Sequence, residues 1–476
     1  MLIFPAFGRY SSVAAFGGGG GGGAVAGFVG AQVYKASDQI GAGYTSRSAI
    51  AWDSEHFDTH AFHDSGANTR LTIPSALNGY YVVVLASVTL QNVSGVSTAD
   101  LCIAKGGSIT FDGTSGYKNA TGGGVDGVAN QVFLQCRTQP IQVSTGDYFE
   151  AMLFNDADAA MDIIAAQSSF GIYVVGASVM GCLVKNTSDL TAQNFNNTSP
   201  TWAAEVYDTD AFHDPGSNPS RITIPSAANG RYGILKANVR LSSVSNNINL
   251  AVSIEKSNVA LGAWLEVGAQ LSRTDGSSLG NGWCECETQP LLLATGDYFE
   301  TNIFCSDTST TLDANGSSFS LEVLPVGFQG ALCKISADVT AHNYSTPEDL
   351  TWNGTDVYDT TGADQHDPAS NNTKIIITSG LNGKYAILHS NIYTSLVANL
   401  SAHSVVIQKG NTNSYAGFGG RGGSNGSFAN SWLSGRTQIV QLVTADEFTA
   451  QFYMSDTSVT LEAESTTFGL RVLPEL

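Results

Sequence analysis

The chain has 476 residues, of which only 13% are charged, with 52 glycines and a formal net charge of −20. An acidic excess without any Lys/Arg cluster argues against a surface built to neutralise phosphate, so neither nucleic acid nor an anionic membrane is an expected partner. A charged fraction near half the usual quarter, combined with abundant glycine, fits a rigid β protein of extracellular or virion type.

In chain order, residues 1–27 come first and stand apart. Leu2, Ile3, Phe4 and Phe7 are apolar, Phe16 follows, Arg9 is the one charged residue before Lys35, and 17–23 is an unbroken glycine run. A secretory signal needs a basic start and a continuous apolar stretch, and neither is present. A membrane-spanning helix is not expected, because consecutive glycines lose too much backbone entropy on becoming helical. Two readings stand: a flexible leader, or an apolar peg of Leu2, Ile3, Phe4, Phe7 and Phe16 that anchors the chain in a partner.

The rest of the chain says nearly the same thing three times. Trp52-Asp-Ser-Glu-His-Phe57-Asp58-Thr59 leads to Phe62-His63-Asp64, and Trp202-Ala-Ala-Glu-Val-Tyr207-Asp208-Thr209 leads to Phe212-His213-Asp214. Trp352 begins a looser copy through Tyr358-Asp359-Thr360 to His366-Asp367. The tryptophans lie 150 residues apart each time (202 − 52, 352 − 202). That period is too long for a solenoid repeat and matches a whole domain. The expected units are 28–176, 177–327 and 328–476, abutting with little slack, because Val33-Tyr-Lys35, Leu183-Val-Lys185 and Leu332-Cys-Lys334 read as the first strand of each.

Within each unit the motif Ile73-Pro74-Ser75 recurs as Ile224-Pro225-Ser226 and, altered, as Ile377-Thr378-Ser379. Asn78-Gly79, Asn229-Gly230 and Asn382-Gly383 follow, a pair suited to tight hairpin turns. Next come runs rich in β-branched and aromatic residues, 80–90, 232–241 and 385–393, that read as buried strands. Thr145-Gly146-Asp147 and Thr295-Gly296-Asp297 open a late strand, with Thr444-Ala445-Asp446 as the third version, and 170–175, 319–324 and 468–473 close the units. No stretch shows apolar residues at helical spacing. The expected fold is therefore all-β, three antiparallel β-sandwiches in tandem.

Candidate chemistry is sparse. The repeated His-Asp pairs (His63, Asp64; His213, Asp214; His366, Asp367), with Asp58, Asp208 and Asp359, admit three readings: a pH-sensitive contact, calcium ligation, or a hydrogen-bonded turn that fixes the loop. Repetition in every unit favours the turn. His56, His60 and His63 have a metal-like spacing, but the second unit has Val206 and Asp210 at the first two places, and no metal or cofactor is expected. Gly417-Phe-Gly419-Gly-Arg-Gly422 matches a dinucleotide fingerprint on paper and Gly422-Gly-Ser424-Asn-Gly426 a nucleophile elbow, yet glycine-rich loop sequence surrounds both, where strand and helix are required. No paired carboxylates or Ser/His/Asp set repeats, so no enzyme is expected. The seven cysteines form no repeated framework; free core thiols are expected.

Individuality is concentrated where the repeats diverge, in 107–130, 256–282 and 409–430. Isolated aromatics there, Phe111, Tyr117, Trp264, Tyr415 and Phe418 beside Arg421, sit among Gly, Ser and Asn. Such a ring can stack on a sugar while neighbouring polar groups bind its hydroxyls; solvated loops would have the same composition.

The order of an Asn-Gly-x-Tyr strand, a Gly-Asp strand opening and a closing Ser-Ser-Phe strand resembles the C1q/TNF-like jelly roll. The fuller pattern Trp…Tyr-Asp-Thr…Phe-His-Asp…Ile-Pro…Asn-Gly is similar to C1q-like domains of tailed-bacteriophage virion proteins. The resemblance implies a two-sheet sandwich that assembles as a homotrimer around an apolar axis, with loops presented at the far end. The third unit departs from it by lacking the Phe before His366 and by Thr378 and Ala445. The implied function is a non-enzymatic virion fibre or spike, joined to other virion proteins through its N-terminus and contacting a host cell-surface glycan or protein. A capsid decoration, head fibre or tail-tip component without a receptor is the alternative, followed by a secreted bacterial adhesin and, more distantly, a depolymerase.

Overall fold

The computed structural model describes residues 27–91, 99–107, 117–120, 131–155, 161–165, 167–244, 249–256, 271–272, 281–314, 316–361, 365–395, 403–410, 413–415, 430–454, 459–463 and 465–476. Regular structure in these residues is β-strand plus four short 3-10 turns, and all strand pairing is antiparallel.

Between residues 30 and 176 the strands form two sheets. One runs in the order Gln39–Ala42, Met161–Ile163, Tyr81–Gln91, Ser169–Gly176, Gly30–Tyr34, Ser54–Asp58, with Gln131–Arg137 and Ile141–Gln142 also pairing to Tyr81–Gln91. The other orders Ser48–Ala49, Tyr148–Asn155, Ala99–Lys105, Tyr117–Ala120, with Arg70–Thr72 on Tyr148–Asn155. The same order of eight strands returns around Tyr232–Ser242 and again around Tyr385–Ser395, each with its own facing sheet. Each pair of sheets encloses one apolar core, and every core is centred on its tryptophan. Trp52, Trp202 and Trp352 are fully buried and lie over Phe170, Phe319 and Phe468 at 5.9, 6.4 and 5.6 Å between ring centroids. Truncating such a side chain typically costs about 3–5 kcal/mol.

The long central strand explains why its sequence is a continuous apolar run. Val82, Val84, Ala86, Val88 and Leu90 face the sandwich core, while Val83 and Leu85 are buried on the opposite side, in a second cluster with Tyr173, Ile387, Ile439 and Leu473. That cluster joins the first unit to the third. Buried on both faces, the strand does not alternate.

The Asn-Gly pairs do not close two-residue hairpins. Each follows a 3-10 turn (Ser75–Leu77, Ser226–Ala228, Ser379–Leu381) and makes a second turn in which only the glycine is left-handed: Asn78 has φ −59 and ψ 125, Gly79 φ +83. The asparagine amide oxygen is spent on the next loop, where Asn78 Oδ1 accepts from Thr145 N at 3.1 Å.

The Asp-Thr of each motif forms a clasp on the first strand. Gly30, Gly181 and Gly330 each donate N–H to the threonine hydroxyl of Thr59, Thr209 and Thr360 at 3.0 Å. These glycines are backed by a neighbouring strand: a Cβ at Gly181 would stand 2.0 Å from Leu321 O, at Gly30 2.5 Å from Ile172 O, at Gly330 2.6 Å from Leu470 O.

Finally, the three units touch pairwise and close a ring. The last residue returns to the first unit, with Leu476 N donating to Gly27 O at 3.0 Å and Gly27 N to Leu476 O at 3.3 Å.

Candidate functional site

The repeated turn is assembled by its aspartates. Asp58 accepts backbone N–H groups from His60, Phe62 and His63 at 3.1, 3.1 and 2.8 Å. Asp208 accepts from Phe212 and His213 at 3.0 and 2.9 Å, and Asp359 from Thr361 and Gln365 at 3.0 and 2.8 Å. Asp64, Asp214 and Asp367 cap the next turn through Gly66, Gly216 and Ala369 N–H. Those amide and hydroxyl bonds hold the Asp214 carboxyl below the usual range, with Ser217 the largest contributor, and Asp367 likewise through Ser370 and Ala369. Carboxylate oxygens committed to amides in this way fix a loop, which is the turn reading. Among the described residues, no group of three or more His, Cys, Asp or Glu is placed to hold a metal ion.

The histidines reveal partners that the repeated motif alone did not point to. His63 Nδ1 lies 2.6 Å from Glu55 Oε1, His213 Nδ1 3.1 Å from Glu205 Oε1, and His366 Nδ1 2.6 Å from Asp356 Oδ1. Three buried imidazoles are thereby tied to the segment that leads into the Asp-Thr clasp, through Glu55 and Glu205 on their strands and Asp356 just before Tyr358–Asp359. His56 is apart from this set, exposed and stacked on Tyr34 at 4.0 Å.

The richest constellation lies where the units meet. At the outer seams a tyrosine of one unit packs into the next: Tyr81 against Tyr207 (6.1 Å), Tyr232 against Tyr358 and Phe328 (4.9 and 5.3 Å), Tyr385 against Phe28 and Phe57 (4.2 and 4.8 Å). Tyr81, Tyr232 and Tyr385 open the same strand of each unit, so the seams succeed one another cyclically.

Inside them are buried charges. Arg137 is 1% exposed and donates to Glu287 Oε2 at 3.1 Å, Glu322 Oε2 at 2.5 Å and Tyr173 OH at 3.1 Å. Lys236 Nζ donates to the Arg137 carbonyl and lies 3.4 Å from Glu285. Arg436 approaches Glu287 at 3.5 Å, Arg471 donates to Tyr173 OH at 3.0 Å, Gln135 to the Arg436 carbonyl at 2.7 Å, and Gln32 to Gln438 at 2.8 Å. Burial alone would raise the Glu287 pKa; Arg137, Arg436, Lys236 and Arg471 override it and hold the carboxyl far below its ordinary value. His389 goes the other way: burial first, then Arg471, lower it to about 3.

These residues occupy equivalent registers. Leu85 opposes Arg137, Lys236 opposes Glu287 and His389 opposes Arg436; Val83 opposes Tyr173, Ile234 opposes Glu322 and Ile387 opposes Arg471. One layer around the centre is thus Arg, Glu, Arg and the next Tyr, Glu, Arg. The resemblance implies an apolar axis between chains; the meeting described here lies within one chain, and its centre is charged because the three copies of each position have diverged.

Of the loop candidates, Phe111, Trp264, Phe418 and Arg421 lie outside the described residues, as do Leu2, Ile3, Phe4, Phe7 and Phe16. Tyr117 begins the strand Tyr117–Ala120, which runs beside Asn281–Glu287 of the second unit, and Tyr415 ends Asn413–Tyr415. The divergent runs are not confined to one end. In the first unit Gly106 N bonds Tyr148 O before the run, and Gln131 faces Gln91 after it, so its two flanks lie at opposite ends of the sandwich. Six cysteines, Cys102, Cys136, Cys182, Cys286, Cys305 and Cys333, are buried outside any disulfide. No described helix is long and apolar enough to cross a membrane.

Fold and centre together define a class: all-β, antiparallel jelly-roll sandwiches joined around a charged centre. No protein-family model and no curated protein matches the chain. Among solved structures it is similar to Eiger TNF from S. frugiperda, at 11% identity and a TM-score of 0.22, over 31% of this chain and 93% of that one. It is also similar to the CBM22-1-CBM22-2 tandem domain of Paenibacillus barcinonensis Xyn10C (13%, TM-score 0.17, 63% and 99% covered). A third likeness is to infectious bursal disease virus Gx strain (8%, TM-score 0.20, 62% and 71% covered). Likenesses at this level concern architecture only.

Proposed function

We propose that the chain is a non-enzymatic structural protein of a bacteriophage virion, a fibre or spike component with its N-terminal segment toward the particle and the later parts of its divergent runs, 121–130, 273–280 and 416–429, toward the host surface. The observation that carries this reading is the polarity of the body. Gly176 pairs with Tyr81 at one end of the central strand, where the links between units and the Gly27–Leu476 pair also lie. Gln131 pairs with Gln91 at the other end, where 92–98 and 121–130 are entered and left. The strand between has 11 residues, so the two ends stand roughly 30 Å apart at about 3.3 Å per residue. The motif resemblance to C1q-like virion domains supplies the particle.

The test is twofold. Removing residues 1–26 should abolish incorporation into particles while the body stays folded. Replacing 121–130, 273–280 and 416–429 with short turns should abolish binding to host cells without loss of incorporation. Gold labelling on the head or the tail separates a head fibre or decoration from a tail fibre. Unimpaired incorporation and binding by both variants would sink the reading, and new reducing ends on incubation with host polysaccharide would show a depolymerase instead.

A further inference from the structure

We propose that one chain is a complete, single-copy trimer: each unit's inward face is a docking surface whose only fitting partners are the other two units of the same chain. Three observations converge on it. All three seams are made in cis, and the one seam without a covalent link is closed by the Gly27–Leu476 backbone pair, so among the described residues each inward face already has its partner in the same chain.

The charges at the centre complement one another only when each unit is present once. Unit two brings Glu285, Glu287 and Glu322 with Lys236; unit three brings Arg436 and Arg471 with His389; unit one brings Arg137 with Leu85 and Tyr173. In a threefold assembly of three chains, each layer would repeat a single residue. Three copies of unit two would crowd carboxylates at one centre, and three of unit three would crowd guanidinium groups. Buried ions without opposite partners are strongly unfavourable. The divergence also sets the order around the ring, because Arg137 reaches Glu287 and Glu322 across one seam while Arg471 reaches Tyr173 across another.

The inference deepens the reading above by stating that a spike head is one chain with three unlike loop sets, but it can fail while that reading stands. Light scattering on the full chain should give 49.7 kDa across a hundredfold range of concentration. A mass near 149 kDa (3 × 49.7) held by the inward faces would overturn it. The charge code is tested separately. Arg137→Glu should lower the melting temperature by at least about 5 °C, a few kcal/mol for bodies of this size. The exchange Arg137→Glu with Glu287→Arg should recover part of that loss. A single substitution that leaves the melting temperature unmoved, or an exchange worse than both singles combined, would show that these charges do not specify the ring.

Discussion

Ala445 shows how much one residue can carry. Gly146 and Gly296 occupy the same turn with φ +82 and +84, and Ala445 is held there at φ +69. A left-handed alanine costs about 1–2 kcal/mol, and glycine returns about 0.5–1 of that through the flexibility of its unfolded state. Ala445→Gly should therefore stabilise by up to about 1 kcal/mol in chemical denaturation, and Gly296→Ala should destabilise by a similar amount. His389 argues at the same scale about pH. Its folded pKa, about 3, lies below the unfolded value near 6.5, so the unfolded chain binds the extra proton. Stability accordingly falls as pH drops through that window, by up to about 1.4 kcal/mol per pH unit for one proton. Arg137, Arg436 and Arg471 reinforce the neutral imidazole, and Glu287 opposes them. Replacing His389 with Leu, the residue unit one has as Leu85, should remove one proton from the slope of stability against pH between 6.5 and 4.5, where most carboxylates are silent. An unchanged slope would mean that the imidazole is solvated in the native state.

At the scale of elements, two of the third unit's three departures compensate each other. Gln365 replaces Phe62 and Phe212, and Thr378 replaces Pro74 and Pro225. Gln365 Nε2 donates to Thr378 Oγ1 at 2.7 Å, and Thr378 N–H, a donor proline lacks, reaches Gln365 Oε1 at 3.2 Å. Gln365→Phe strands one end of that pair and Thr378→Pro the other, so each alone should destabilise by about 1–3 kcal/mol. The double variant should cost less than the sum of the two, by about 1 kcal/mol or more. Additive losses would show that the pair is incidental. The elements themselves were largely legible: the strands 80–90, 232–241 and 385–393 are observed as Tyr81–Gln91, Tyr232–Ser242 and Tyr385–Ser395. The Asn-Gly turns were misread because a pair suited to hairpins also suits the exit of a 3-10 turn, and only pairing shows which. The His partners Glu55, Glu205 and Asp356 lie 8 to 10 residues away, on or just before a strand whose facing direction the sequence leaves open. The buried charges had a signal that repetition concealed. Arg137 and Arg436 share a repeat position with Glu287, beside Cys136, Gly435 and Cys286, and a charge that changes sign at one repeated strand position needs a partner of its own.

At the scale of the molecule, three sandwiches share one centre in which aromatic seams flank a buried ion network. The threefold meeting was expected between chains; the structure places one within the chain, because sequence repeats show that units are alike and not which copies pack together. On the proposal that the chain is its own trimer, a host ligand would meet three unlike loop sets instead of one set three times. Joining residue 476 directly to residue 27 with a short linker, and opening the chain between residues 176 and 177, should give a protein with the parent's circular dichroism and a melting temperature within about 5 °C. Loss of folded structure on that rearrangement would show that the Gly27–Leu476 pair is a contact of convenience and not a joint equivalent to the covalent ones.

If the joint holds, linear order is a property of the gene more than of the body. A backbone sealed there would be a circle with no end at which to fray, and the unfolded circle would have fewer conformations to gain than the unfolded thread. Such a closed form should outlast the linear one in denaturant and resist exopeptidases, while every face it shows to the outside stays where it was.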